Sequence, residues 1–227
     1  MKEVTTMGTR HLTVVIKDNE IKLSQYGQWD GYFTYSGTKF LQFVKENLQF
    51  KSKKRQKYFI ETFGEKVDLL KPVDEKTMQE VRDIKQKYGF NNTLNKSQFA
   101  IPFNIMYPQF SRDTGVGILD IIDKLQPCMF NSNYKFPVVL DFDEGIPCTE
   151  FVHVINLDTE EIYMLTTHEF KGVPLSTCEL VESMYENHDC WYKSSIRDIP
   201  SIAKIKKYKE SIGLDYWQRE NGEWVSN

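Results

Sequence analysis

Apolar and polar residues alternate from position 11 to position 26. His-Leu-Thr-Val-Val-Ile-Lys (11–17) sets Leu12, Val14 and Ile16 on one side of a strand, and Ile-Lys-Leu-Ser-Gln-Tyr (21–26) continues with Ile21 and Leu23. Asp18-Asn19-Glu20 between them is turn chemistry, so the pair predicts a β-hairpin. A second hairpin is predicted from Phe-Val-His-Val-Ile-Asn-Leu (151–157) and Ile-Tyr-Met-Leu (162–165), with Asp158-Thr159-Glu160-Glu161 as its turn. A short apolar run at 136–140 predicts a further, buried strand, and Asn221-Gly222 predicts a small C-terminal hairpin.

The spacing changes to the helical period between these strands. Residues 37–50 predict a helix with the stripe Phe40, Leu41, Phe43, Val44 and Leu48. A short helix is predicted at 58–63. Another at 74–88 carries Met78, Val81, Ile84 and Tyr88, with Gly89 as its C-terminal cap. Residues 90–98 are Asn-rich and read as loop, and 99–110 read as extended because of Pro102 and Pro108. Ser111 is a suitable N-cap for a helix that buries Ile118, Leu119, Ile122 and Leu125 and stops at Pro127. Ser176 and Glu179 form a capping box for a helix to about residue 185, and 200–212 predict a last helix with Ile202, Ile205, Tyr208 and Ile212 on one side.

Strands and helices in this order specify an α+β protein. The expectation is a single domain over residues 1–227, with 1–6 as a leader and 214–227 as a C-terminal extension or hairpin. The hairpins at about 9–30 and 150–165 then sit in one sheet, or in a sheet-on-sheet core, flanked by helices. An αββα sandwich is one such arrangement.

Composition narrows the function classes. The chain has 227 residues, 40% hydrophobic and 27% charged, with a net charge of −3. Basic clusters at 51–57 and 204–209 exist, but a net acidic chain is a poor partner for phosphate backbones, so nucleic acid is not expected. The 51–57 cluster reads as a solvated loop or helix face, or else as a patch for an acidic partner. No apolar run reaches membrane-spanning length, and the first residues lack a signal-peptide core. The location expected is cytoplasmic. Cys128, Cys148, Cys178 and Cys190 and the four histidines are scattered without metal-ligand spacing, so neither a metal nor another cofactor is expected.

Candidate chemistry concentrates at the open end of the first hairpin, where Gly8-Thr9-Arg10-His11 meets Gln25-Tyr26-Gly27-Gln28-Trp29-Asp30-Gly31-Tyr32. Carried through the turn, the period of two groups Arg10, Gln25 and Trp29 with Leu12 and Val14. It groups Thr9, His11, Tyr26, Gln28 and Asp30 on the other face.

These two stretches resemble the opening of a family of uncharacterised proteins found in phages, bacteria and filamentous fungi. Arg112-Asp113-Thr114-Gly115, leading into an Ile-Leu helix, resembles that family's middle motif, and residues 150–164 are similar to its late strand pair. The resemblance touches about residues 7–165. It implies a phage or prophage connection and lends no activity. The chain departs from the family in having Phe33-Thr34-Tyr35 in place of a Pro-containing turn, and Asn156 in place of an acidic residue.

Two function classes stay open, and nothing in the sequence decides whether the protein is an enzyme. One is a non-catalytic intracellular binding protein for a small polar or anionic ligand, or for a host protein. Arg10 would then meet an anion, Gln25 and Gln28 would orient the ligand, Trp29 would stack, and Asp30, Arg112 and Asp113 would complete the site. The other is an amide hydrolase of the N-terminal-nucleophile type. Cleavage at Gly8-Thr9 would free the Thr9 hydroxyl as nucleophile with its own amine as base, oriented by Gln28 or Asp30; a related version has His11 and Asp30, on the same face, act as an acid/base pair without cleavage.

Overall fold

The computed structural model describes residues 9–31, 33–72, 114–125, 137–138, 150–166, 190–199, 217–220 and 223–226, and the isolated positions 76, 79, 80, 83, 87, 201, 203 and 204. The first hairpin forms as its pattern requires, from β1 (His11–Lys17) and β2 (Glu20–Gly27). Asp18 and Asn19 both have positive φ, 54° and 57°, as the tight hairpin turn demands. The second hairpin is β5 (Phe151–Asn156) and β6 (Glu161–Thr166). Its turn is held by Asn156 Oδ1, which accepts from the amides of Asp158 and Thr159 at 3.0 and 3.1 Å.

Both hairpins join one five-stranded mixed sheet in the order β2-β1-β5-β6-β7, where β7 is Cys190–Ser195. The strand β7 was not anticipated from the pattern. β1 and β5 are parallel, which needs a long crossover, and here the whole middle of the chain separates them. Two small pairs complete the strands: β3 (Lys71–Pro72) with β4 (Pro137–Val138), and the C-terminal β8 (Trp217–Glu220) with β9 (Glu223–Ser226), the latter about Asn221-Gly222 as predicted.

Three helices pack against the sheet. α1 (Thr38–Asn47) buries the predicted stripe, with Phe40, Leu41 and Val44 fully enclosed. A single π-turn, Phe33–Gly37, precedes it. α2 (Lys53–Asp68) is much longer than the predicted 58–63, because it begins inside the basic run. Cations at a helix N-terminus oppose the dipole, but the Ser52 side chain caps the Arg55 amide and buried Gln56, Ile60, Phe63 and Val67 hold the helix down. Four of the five basic residues of that run, Lys53, Lys54, Arg55 and Lys57, are solvent-exposed on it, and Lys51 is exposed just before it. α3 (Ile118–Asp123) buries Ile118, Leu119 and Ile122.

These helices form one core with Val15, Leu23, Ile155, Ile162 and Met164 from the sheet and Ile196 from the 3₁₀ turn after β7. Burying the Phe40 and Phe63 side chains alone is worth about 2–3 kcal/mol each. The opposite face, carrying Leu12, Val14, Ile16, Val152, Val154 and Leu165, is buried too.

One register shift alters the face assignment. β1 and β2 pair as Val15↔Leu23 and then Ile16↔Ile21, so Lys22 faces no residue of β1. The extra residue inverts the alternation beyond it. Thr13 pairs with Gln25 and Leu12 with Tyr26, so Gln25 belongs to the face of His11 and Tyr26 to the face of Leu12, the reverse of the expectation.

The predicted segments at 90–98, 99–110 and 176–185 lie outside the described residues. Of the predicted helix 74–88, the five described positions are all helical, and of 200–212 only residues 203 and 204 are described as helix. No described helix is long and apolar enough to cross a membrane.

Candidate functional site

The open end of the first hairpin is one wall of a cavity of about 560 Å³. The first residue of β1, His11, pairs with the last of β2, Gly27, and both line the cavity with Trp29 and Asp30. α1 supplies the second wall through Lys39, Gln42, Phe43 and Glu46, spaced three and four apart so that they share one helix face, with Tyr35 and Ser36 from the π-turn before it. The third wall is the tight 3₁₀ turn Gly115–Gly117 with Thr114 and Asp120 beside it.

His11 forms the floor. It is 3% exposed, and neither ring nitrogen has a hydrogen-bond partner among the described residues. Burial, with the Lys39 ammonium second, pushes its pKa down from 6.5 to about 4, so the imidazole is neutral at pH 7. Two glycines make room for the ring. A Cβ on Gly27 would come within 2.2 Å of His11 Cε1, and one on Gly115 within 2.6 Å of Nε2. Gly115 also has φ of +48°, which favours glycine.

A second polar layer lies behind the wall. Ser36 Oγ lies 3.1 Å from His153 Nε2, and the His153 ring stacks on Phe40 at 5.3 Å and tilts against His11 at 5.8 Å. The pairing has the look of a nucleophile and its base. Ser36 lines the cavity but His153 does not, so His153 is not placed to pass a proton to a leaving group there. The pair fixes the start of α1, together with the Ser36 amide donating to the Asp30 carbonyl at 3.2 Å.

The charged groups lie at the mouth. Asp30, Lys39, Glu46 and Asp120 are all exposed, as are Trp29 and Tyr35 at 51% each. Lys39 Nζ stands 4.0 Å over the Tyr35 ring, and Gln42 Nε2 donates to Glu46 Oε1 at 2.9 Å. The described residues hold no group of three or more His, Cys, Asp or Glu suited to a metal ion.

Of the residues singled out from sequence, His11, Trp29 and Asp30 meet at this cavity; Arg10, Gln25, Gln28 and Thr9 are not in its lining. The Arg10 backbone is a structural joint. Its amide donates to Glu150 Oε2 at 3.0 Å, and its carbonyl accepts from the amides of Glu150 and Phe151. The Thr9 carbonyl accepts from the Gly31 amide at 3.0 Å, and Thr9 is buried. Gln25 donates to the Tyr26 carbonyl, and Gln28 accepts from the Tyr26 hydroxyl, both at 2.9 Å. Arg112 and Asp113 lie outside the described residues.

The α1 contribution was missed in the sequence, although a signal existed. Lys39, Gln42 and Glu46 repeat at helical spacing beside the apolar stripe. Gly115 belongs to the Arg112-Asp113-Thr114-Gly115 motif, and nothing in that motif marks it as part of a cavity wall. No family model, curated protein or solved structure matches this chain.

Proposed function

We propose that the protein binds a small polar molecule in the cavity above His11, with His11 as the hydrogen-bonding floor. The observation that carries this is a neutral imidazole, almost wholly buried, with two ring nitrogens and no described partner for either. Buried polar groups are normally satisfied, and each one left unmade costs roughly 1–3 kcal/mol. A ligand that hydrogen-bonds a ring nitrogen recovers part of that energy, and the cavity is large enough for a molecule of metabolite size. Arg10, expected to meet an anion, is not in the lining of this cavity.

A thermal-shift screen with small polar fragments tests this reading. Hits should stabilise the wild type and lose their effect in His11→Phe. They should also lose it in Gly117→Phe, which places a ring at the cavity wall where an added Cβ meets only Thr114 Cγ2 at 3.8 Å. Fragments that stabilise the wild type and both variants equally would refute the proposal.

A further inference from the structure

The ligand's charge is written in how the cavity grades from floor to mouth. The floor is His11, uncharged and buried, while among the described residues the mouth carries three exposed carboxylates, Asp30, Glu46 and Asp120, and one ammonium, Lys39. These come from three separate segments: the end of the first hairpin, α1 and α3. Lys39 stands over the Tyr35 ring, so the one cation of the mouth already lies on an aromatic face. Trp29 adds a second half-exposed ring to the same rim. Carboxylates interleaved with aromatic rings are the chemistry that receives organic cations, through charge and through the negative face of the ring.

Resting on the reading that this cavity binds a small polar molecule, we infer that its ligand is an organic cation, an amine or guanidine, that points an uncharged hydrogen-bonding end at His11 and holds its positive charge at the mouth between Asp30, Glu46 and Asp120. The grading gives the ligand one orientation. A charge at the floor would be stripped of water beside a neutral imidazole, whereas at the mouth it stays hydrated and faces opposite charges. An anion would meet three carboxylates beside the one ammonium among the described residues of the mouth. The exposed carboxylates therefore contribute attraction that salt weakens, while His11 contributes hydrogen bonding that salt leaves alone.

Three probes of matched size separate the possibilities: γ-aminobutyramide, a cation with an amide; succinamide, its neutral counterpart; and succinamic acid, the anion. Binding is read by NMR from the His11 and Gly115 signals, in the wild type and in the Glu46→Gln/Asp120→Asn double variant. The cation is expected to bind more tightly than the diamide, by roughly 2–10-fold at low salt, with the anion weakest. That preference should vanish in the double variant and fade as salt is raised, while succinamide binding stays unchanged. Equal or tighter binding of succinamide or succinamic acid would overturn the charge inference and leave the His11 pocket standing. If no probe moves the His11 signals, both the inference and the pocket reading fail.

Discussion

His11 is held neutral by its surroundings, and that has a consequence for the stability of the fold. Its pKa falls from 6.5 to about 4 on folding, so between these values the unfolded chain binds a proton that the folded chain refuses. Stability from this source is complete above pH 6.5 and is lost as pH falls towards 4, by about 3 kcal/mol in all. Urea denaturation across that range should show the loss in the wild type and a flatter profile in His11→Gln. The two glycines around the ring give a second test. Gly27→Ala should destabilise by about 1–3 kcal/mol, because the new methyl meets the imidazole and not a flexible chain end. Removing the ring should relieve this. In His11→Ala, adding Gly27→Ala should cost clearly less than in the wild type, and additive effects in this double-mutant cycle would contradict the packing described. Gly115→Ala combines the same crowding with a left-handed φ, and a loss of about 2 kcal/mol or more is expected in the same denaturation assay. The sequence made His11 and Asp30 candidates through their place at a strand end. It did not make Gly27 and Gly115 legible as the walls of a ring slot, since that contact joins residues far apart in the chain.

At the scale of elements, the two hairpin turns lean on each other. Asp158, in the β5–β6 turn, accepts from the amides of Asp18 and Asn19 in the β1–β2 turn at 2.9 and 2.8 Å. Asp158→Ala leaves those amides to solvent and should lower stability by about 1 kcal/mol, while Asp158→Asn, which keeps an acceptor, should recover part of the loss in the same measurement. Both turns were legible from the residues around 18–20 and 158–161, and so were the strands, because alternation is a local signal. The face of Gln25 was not legible. A single extra residue at Lys22 reverses everything after it, and no residue in the run announces it. The early start of α2 was hidden for a different reason. Its basic first turn opposes the dipole, and the helix is kept by tertiary burial of Gln56, Ile60 and Phe63. The strand β7 escaped because Cys-Trp-Tyr-Lys-Ser-Ser (190–195) does not alternate apolar with polar residues.

For the whole molecule, the mixed sheet brings a histidine from β1, a helix face from α1 and a glycine turn before α3 to one end of the first hairpin, and it covers both faces of its inner strands with apolar packing. Most of the described chain builds this scaffold; Thr13 Oγ1, Ser24 Oγ and Gln56 Oε1 are also buried without a described partner, but of these residues and His11 only His11 lines the cavity. The central claim is that His11 is a neutral, buried floor whose ring nitrogens await a ligand. Long-range ¹H–¹⁵N NMR of the imidazole side chains tests it most directly, as a pH titration with and without γ-aminobutyramide. His11 is expected to stay neutral from pH 7 to about 5, to titrate near 4, and to shift at its ring nitrogens when the probe binds. A His11 that titrates near 6.5, with nitrogens indifferent to every polar probe, would contradict it.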